Sequence, residues 1–99
     1  MELLISKPAE ADLIEIGEYL FELNPVGAER VLKELRAKFD LLAKFPDMGR
    51  ERNELIVGWR SFPAGKYMIF YEVCDDVLEI TRVRHSSTDI NNLFEDFSA

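Results

Sequence analysis

Cysteine and histidine are nearly absent from this sequence of 99 residues, which contains one of each, Cys74 and His85. A single cysteine cannot form a disulfide within the chain. One cysteine and one histidine also cannot supply the four ligands of a structural zinc site. We therefore expect neither a metal ion nor another cofactor.

Long hydrophobic runs are absent as well. The N-terminal stretch MELLISKPAEADL has neither the basic start nor the apolar core of a signal peptide. No segment approaches the roughly 20 apolar residues of a membrane-spanning helix. We expect a cytoplasmic protein without a membrane partner. Residues 1–99 are long enough for one hydrophobic core and are expected to form a single domain.

Positive charge is in short supply: 12 Lys and Arg stand against 19 Asp and Glu, and the net charge is −7. Proteins that bind phosphate backbones usually carry a surplus of basic residues, because counterion release supplies much of that affinity. Only residues 50–85 balance the two signs. We therefore expect no stable direct binding to nucleic acid, and a basic partner is favoured.

The first half of the chain has the pattern of one strand and two helices. Residues Glu2–Ile5 are a short apolar run, and Ser6 is a suitable N-cap with Pro8 in the first helical turn. Apolar residues then recur at intervals of three and four on both sides of Asn24-Pro25, which separates two amphipathic helices. Their seams contain Ala9, Leu13, Ile16, Leu20 and Leu23, then Ala28, Val31, Leu32, Leu35, Phe39 and Leu42. So short a link predicts an antiparallel hairpin.

The second half has the pattern of strands. GWRSF (58–62), KYMIFYEV (66–73) and VLEITRVRH (77–85) are separated by the turns PAG and CDD, and residues 86–99 predict a loose helical turn or an extended segment. The middle strand is apolar on both faces, which is typical of the centre of a covered sheet. The predicted fold is α+β in the order β-α-α-β-β-β, with a helical hairpin packed on an antiparallel sheet.

Four segments in a fixed order carry a family resemblance. They are PAEADLIEIGEYL, NPVGAERVLKELRAKFDLLAKFPDMGR, GWRSFPAGKYMIFYEV and LEITRVRHSSTDI. At this spacing they resemble the ParE branch of the RelE/ParE superfamily of type II toxin–antitoxin systems, over roughly residues 6–92. The resemblance implies the fold predicted above and a small bacterial toxin that a cognate antitoxin, ParD-like or similar, neutralises. It also implies one of two activities: the RelE branch cleaves mRNA in the ribosome, whereas the ParE branch inhibits DNA gyrase and blocks replication.

The ribonuclease alternative requires a specific set of side chains. A metal-free ribonuclease activates a 2′-hydroxyl, stabilises charge on the phosphate and protonates the leaving oxygen. Arg60, Arg82 and Arg84 are the candidates for stabilising charge, His85 for proton transfer, and Glu51 or Glu54 for the base. The set expected for a ribonuclease is Arg60, Arg82 and His85. Ribosome-dependent relatives commonly place a tyrosine just after the last strand, but no tyrosine follows Tyr71 here. This departure and the acidic charge favour a non-enzymatic gyrase inhibitor. A degenerate toxin that keeps only antitoxin binding is a further alternative.

The gyrase hypothesis requires a docking surface in place of a catalytic site. The predicted target-binding residues are Arg60, Arg82, Arg84, His85 and, in the tail, Phe94. Arg60 and Arg82 match arginines that recur in the family. The competing interpretations are a solvated strand position for Arg84 and a hydrogen-bonded structural histidine for His85.

Three apolar residues are predicted to bind the antitoxin. Ile14 and Phe21 lie seven residues apart and form a second apolar ridge on the first helix. This ridge either contacts the sheet or receives an antitoxin helix through its apolar face. Trp59, the only tryptophan, belongs either to the core or to the same antitoxin-binding surface.

Overall fold

The computed structural model describes residues 1–87. Its elements in chain order are β1 (Glu2–Ile5), α1 (Lys7–Leu23), α2 (Pro25–Lys44), a short 3-10 helix (Pro46–Met48), β2 (Arg50–Glu51), β3 (Trp59–Ala64), β4 (Tyr67–Cys74) and β5 (Val77–His85). The strands form one sheet in the order β1-β5-β4-β3-β2. The predicted α+β fold with a helical hairpin on a sheet is confirmed. The predicted contact residue Phe94 and most of the tail lie outside the described residues.

Side-chain caps fix the ends of the helical hairpin. The Ser6 hydroxyl accepts the Ala9 N–H at 3.1 Å, as the sequence predicted for the start of α1. Asn24 Oδ1 accepts the N–H groups of Val26 and Gly27 at 3.1 and 3.2 Å. The Asn24 side chain thus satisfies the first N–H groups of α2. The helix consequently begins at Pro25, before Ala28, the first residue of its predicted apolar seam. Within residues 1–87, neither helix is long and apolar enough to cross a membrane.

The main core lies between the helical hairpin and the sheet. Its buried side chains are Ala9, Leu35, Phe39, Leu42, Ala64, Tyr67, Ile69, Tyr71, Leu78, Ile80 and Val83. The predicted seams are confirmed except at Leu23, which ends α1 and is exposed. A second cluster covers the other face, where Trp59 and Phe70 pack with Leu55, Ile56 and Met68. As predicted from its two apolar faces, β4 lies at the centre of the sheet.

The sheet is mixed, and this corrects the prediction of an antiparallel sheet. β1 pairs with β5 in parallel, while the other neighbouring strands are antiparallel. A second correction concerns Pro63, which lies inside β3 and not in a turn. Proline cannot donate to a strand ladder and is tolerated where a strand forms an edge. Pro63 fulfils this condition because β2 pairs only with Arg60 and Ser61.

A bulge in β5 determines which side chains reach the helices. Ile80 and Arg82 oppose consecutive residues of β4, so Thr81 has no partner in that ladder. A bulge interrupts the alternation of faces and re-aims the following side chains. Residues 80–83 are consequently all buried. The second arginine of the strand, Arg84, is only partly buried.

Two glutamates oppose each other across the central strands, at Glu72 of β4 and Glu79 of β5. Burial raises the pKa of Glu72, and the negative charge of Glu79 raises it further. The ionised form of Glu72 is therefore less favourable in the folded protein than in the unfolded chain. The resulting loss of stability begins as the pH rises through the ordinary pKa and is complete above the raised folded pKa.

We expect Glu72→Gln to increase the free energy of unfolding at pH 7 by about 0.5 kcal/mol, because like charges directly opposite destabilise a sheet. The gain should shrink as the pH falls through the raised folded pKa of Glu72 and should vanish below the ordinary pKa of glutamate. Urea denaturation between pH 3.5 and 8 measures it. Glu79→Gln removes the same repulsion and should also increase stability, and the double variant should gain less than the sum of the two. A gain that is independent of pH would contradict the electrostatic cause.

Candidate functional site

Asp12 of α1 holds both arginines at the end of β5. Its carboxylate accepts hydrogen bonds from Arg82 Nε at 2.7 Å and Nη2 at 3.0 Å, and one from Arg84 Nη1 at 3.3 Å. It also accepts the backbone N–H of Val83 at 3.0 Å. The Asp12 side chain is 5% exposed and that of Arg82 is 10% exposed. The paired bonds between Asp12 and Arg82 are the geometry in which arginine and carboxylate interact most strongly.

This ion pair leaves little of the Arg82 guanidinium accessible for target binding or catalysis, the roles predicted for it. A guanidinium that docks on a protein or stabilises a phosphate must reach the surface, whereas that of Arg82 is buried against Asp12. The sequence interpretation missed Asp12, although a signal was present. Asp12 lies three residues after Ala9 and four before Ile16, so it occupies the apolar seam of the helix. A carboxylate on a buried seam requires a buried partner.

Arg60 of β3 is held against the loop before β2. Its Nη1 donates to the carbonyl oxygen of Gly49 at 2.7 Å. Its Nη2 lies 3.4 Å from Glu51 Oε1 and 3.7 Å from Asp47 Oδ1. Both carboxylates are exposed, so these ion pairs add little stability. Arg60 remains accessible at one side, with its charge partly balanced by the loop.

Tyr71 fastens the same loop to the sheet. Its hydroxyl accepts the Gly49 N–H at 2.8 Å and donates to the Pro46 carbonyl oxygen at 2.7 Å. Burial raises the pKa of Tyr71, while the Gly49 N–H and the charge of Arg60 act in the opposite direction. A Cβ atom on Gly49 would overlap the hydroxyl and lie 2.6 Å from Cε1 of the ring. Tyr71 therefore holds the FPDMGR segment against the sheet, and the close approach of its ring requires glycine at position 49.

Arg84 and His85 lie at the rim of a cavity of about 350 Å³ between α1 and β5. Tyr19 and Tyr67 form part of its wall. The ring of His85 meets Tyr67 edge-on, with 5.5 Å between ring centroids. Burial raises the pKa of Tyr67, and the nearby Tyr19 raises it further. The cavity joins the exposed end of β5 to the side of α1.

His85 is hydrogen-bonded within its own turn. Its Nδ1 lies 2.7 Å from the Ser87 hydroxyl and accepts the Ser87 N–H at 3.1 Å. A neutral imidazole that accepts at Nδ1 carries its proton on Nε2. This geometry supports the structural interpretation of His85 and leaves Nε2 on the exposed side chain. Arg84, at 33% exposure, is the accessible member of the β5 arginine pair.

The ribonuclease candidates are not brought together around one point. Arg60 and His85 lie opposite Tyr71 and Tyr67 of the central strand. These two tyrosines are four residues apart, or about 13 Å along an extended strand. Arg82 lies between Arg60 and His85 in sequence, but its guanidinium forms an ion pair with Asp12. Arg60 is therefore distant from His85 and Arg82 is held by Asp12, while Arg84 is the arginine that shares the cavity with His85.

The two ridge residues of α1 do not pack on the sheet. Ile14 and Phe21 are each 62% exposed, which excludes the interpretation that their ridge contacts the sheet. Trp59 is 4% exposed and packs against Phe70, with ring centroids 5.9 Å apart. This burial supports the core interpretation of Trp59 and leaves it little surface for an antitoxin. Within residues 1–87, no group of three or more His, Cys, Asp or Glu could hold a metal ion.

Comparison with known proteins assigns the family. Residues 3–90 match the sequence profile described as "ParE toxin of type II toxin-antitoxin system, parDE". The chain is 33% identical over 90 residues to Toxin ParE1 of Mycobacterium tuberculosis, covering 89% of this chain and 92% of that protein. It is 34% identical over 83 residues to Toxin RelE2 of Caulobacter vibrioides, covering 80% and 88%. The chain belongs to the ParE family of toxins of type II toxin–antitoxin systems.

A solved structure confirms the fold. A chain of the chromosomal ParDE toxin–antitoxin system from P. aeruginosa superposes with a TM-score of 0.75, covering 86% of this chain and 95% of that chain. The two sequences are only 20% identical. The resemblance predicted from the four sequence segments is thus confirmed, both in family and in fold.

Proposed function

We propose that this toxin inhibits DNA gyrase as a docking protein and breaks no bond itself. Its target-binding surface contains Arg60, Arg84 and His85, together with Phe94 of the tail. The observation that carries the proposal is the burial of Arg82 against Asp12. With Arg82 held by Asp12, the accessible arginines are Arg84, beside His85, and Arg60 on the other side of the central strand. A ribonuclease requires such charges and its general acid to converge on one phosphate, whereas a docking surface does not.

A cognate antitoxin, ParD-like or similar, is the second part of the proposal. Ile14 and Phe21 place exposed apolar surface on one helix, and such surface on a small protein is typical of an interaction site. The structural relative from P. aeruginosa was solved as part of a ParDE system. We propose that these two residues contact the antitoxin.

Relatives named RelE support a second candidate, a ribosome-dependent mRNA endonuclease that uses Arg60 and His85. A third candidate is a degenerate toxin that retains only antitoxin binding. Expression without a partner should stop growth for either active toxin and should leave growth unchanged for the degenerate form.

Purified gyrase and a ribosomal mRNA-cleavage assay distinguish the two active forms. We expect loss of supercoiling activity and no transcript cleavage. His85→Ala should weaken gyrase inhibition by less than about tenfold, because one rim contact is lost. In a nuclease, loss of the general acid should slow cleavage by about 10²–10⁴-fold. Lys33→Ala, at an exposed position of α2, is the matched control. Cleavage that disappears in His85→Ala while gyrase is unaffected would overturn the proposal.

A further inference from the structure

The cavity between α1 and β5 has a wall of apolar and aromatic groups. Ile16, Tyr19, Tyr67 and Val83 contribute to this wall. The volume of about 350 Å³ lies at the small end of the range for sites that bind small molecules, so the cavity suits one side chain better than an extended segment. Aromatic rings pack favourably against other rings, edge-on or with an offset. The two tyrosines therefore favour a single aromatic ring as the occupant.

Arg84 supplies unused hydrogen-bond donors at the rim of this cavity. Its Nη1 donates to Asp12 Oδ1 at 3.3 Å, and its guanidinium forms no other hydrogen bond within residues 1–87. The Asp12 carboxylate already accepts two shorter bonds from Arg82 and one from the Val83 N–H, so it neutralises Arg84 only in part. A guanidinium has five N–H donors in a planar fork that matches a carboxylate. Arg84 consequently retains both donors and charge for an anion.

His85 adds a second donor at the same rim. Because its Nδ1 accepts the Ser87 N–H, its proton lies on Nε2, and the residue is exposed. Arg84 and His85 both line the cavity. Glu15 lines it as well and is exposed, so solvent screens its charge. The rim therefore offers an anion two neighbouring donor groups, one of them cationic, against one screened negative charge.

We infer that this cavity binds an aromatic residue next to an aspartate or glutamate on the surface of the toxin's target, with the ring against Tyr67 and the carboxylate on Arg84 and His85. This inference rests on the proposed function, because it specifies the chemistry of the target segment. Charge complementarity carries it, since a basic segment would place a like charge beside Arg84. A nucleic acid is less favoured, because its neighbouring phosphates would approach Glu15 and a protein with a net charge of −7.

Two small molecules that differ in charge but little in shape test the cavity. Phenylacetate has a ring and a carboxylate, and phenylacetamide has the same ring with a neutral amide. Titration of each into the isotopically labelled full chain, followed by NMR, gives the affinity and locates the binding. We expect phenylacetate to shift the signals of Ile16, Tyr67 and Val83, and to bind at least about tenfold more tightly than the amide. Equal binding of both, or shifts confined to another surface, would overturn the inference.

Phenyl phosphate is the third probe, because a site for nucleic acid would prefer a phosphate. We expect its affinity for the cavity to exceed that of phenylacetate by less than about threefold. A larger preference would assign the cavity to a phosphate ligand and overturn the inference.

Charge variants identify the group that holds the carboxylate. Arg84→Gln should lose at least about tenfold in affinity for phenylacetate. Arg36→Gln removes the same charge at an exposed position of α2 that does not line the cavity, and it should change the affinity by less than about threefold. Glu15→Gln should bind phenylacetate about twofold more tightly, because it removes a negative charge from the rim. Equal losses in the two arginine variants would overturn the inference.

Competition with gyrase connects the cavity with the target. Phenylacetate at a saturating concentration should restore the supercoiling activity that the toxin inhibits, whereas phenylacetamide at the same concentration should not. Inhibition that persists when phenylacetate saturates the cavity would overturn the inference and leave the proposed function intact. A toxin that does not inhibit gyrase at all would count against the proposed function, and the probe titrations would still decide the ligand chemistry of the cavity.

Discussion

Asp12→Asn should lower the free energy of unfolding by about 3–4 kcal/mol, because it leaves the Arg82 guanidinium buried without its counter-charge. The carboxylate accepts four hydrogen bonds, two of them from Arg82. Loss of this size is a large part of the 5–15 kcal/mol that usually stabilises a domain. Urea denaturation followed by circular dichroism measures it.

Glu15→Gln is the matched control for this prediction, since Glu15 is exposed on the same helix. It should change the free energy of unfolding by less than about 0.5 kcal/mol. If Asp12→Asn is too unstable to purify, the double variant Asp12→Leu with Arg82→Met provides the readout. Apolar replacement of both members of a buried pair is often tolerated, so this variant should be more stable than Asp12→Asn. A loss below 0.5 kcal/mol in Asp12→Asn would show that the pair does not hold α1 to β5.

Gly49→Ala should cost about 3 kcal/mol, because the added methyl group would overlap the buried ring of Tyr71. This overlap can be relieved only if the loop that contains position 49 moves away from the sheet. That movement breaks the hydrogen bonds from Gly49 to Tyr71 and from Arg60 to Gly49. Thermal and urea denaturation measure the change. Under the proposed function, weaker gyrase inhibition should accompany it because Arg60 loses its support.

Two further variants distinguish the steric overlap with Tyr71 from other effects of Gly49→Ala. Gly27→Ala places its methyl group at ordinary contact distances of 3.4 Å from Asn24, and it should cost much less than Gly49→Ala. Tyr71→Phe removes both hydroxyl hydrogen bonds without adding an atom and should cost about 1–3 kcal/mol. An unchanged stability of Gly49→Ala would mean that the loop yields without penalty.

Local patterns predicted the local structure. Ser6 identified the start of α1, and the three-and-four spacing identified both apolar seams, because capping and amphipathicity depend on residues within a few positions. The two apolar faces of residues 66–73 likewise predicted the central strand. The PAG pattern predicts a turn at Pro63, but the tolerance of proline in β3 depends on how far the separate strand β2 extends.

The structural features that the sequence patterns did not predict depend on contacts between residues distant in sequence. Neither strand contains a sequence pattern that indicates the parallel pairing of β1 with β5. The bulge at Thr81 depends on the register with β4. The charge of Arg82 alone predicts a surface position, and only its contact with Asp12, which interrupts a buried seam, explains its burial. Exposed residues such as Ile14 and Phe21 could be identified from spacing, but only the fold shows that the sheet leaves them uncovered.

The pairing of β1 with β5 has a consequence for folding during synthesis on the ribosome. The bonds that close the fold join residues far apart, with a separation of 70 positions for Asp12 and Arg82 and 75 for Ser6 and Thr81. A chain whose decisive contacts are this remote folds slowly. The nascent polypeptide cannot complete this sheet until β5 has emerged from the ribosome, so β1 and both helices are synthesised well before the strand that holds them in place.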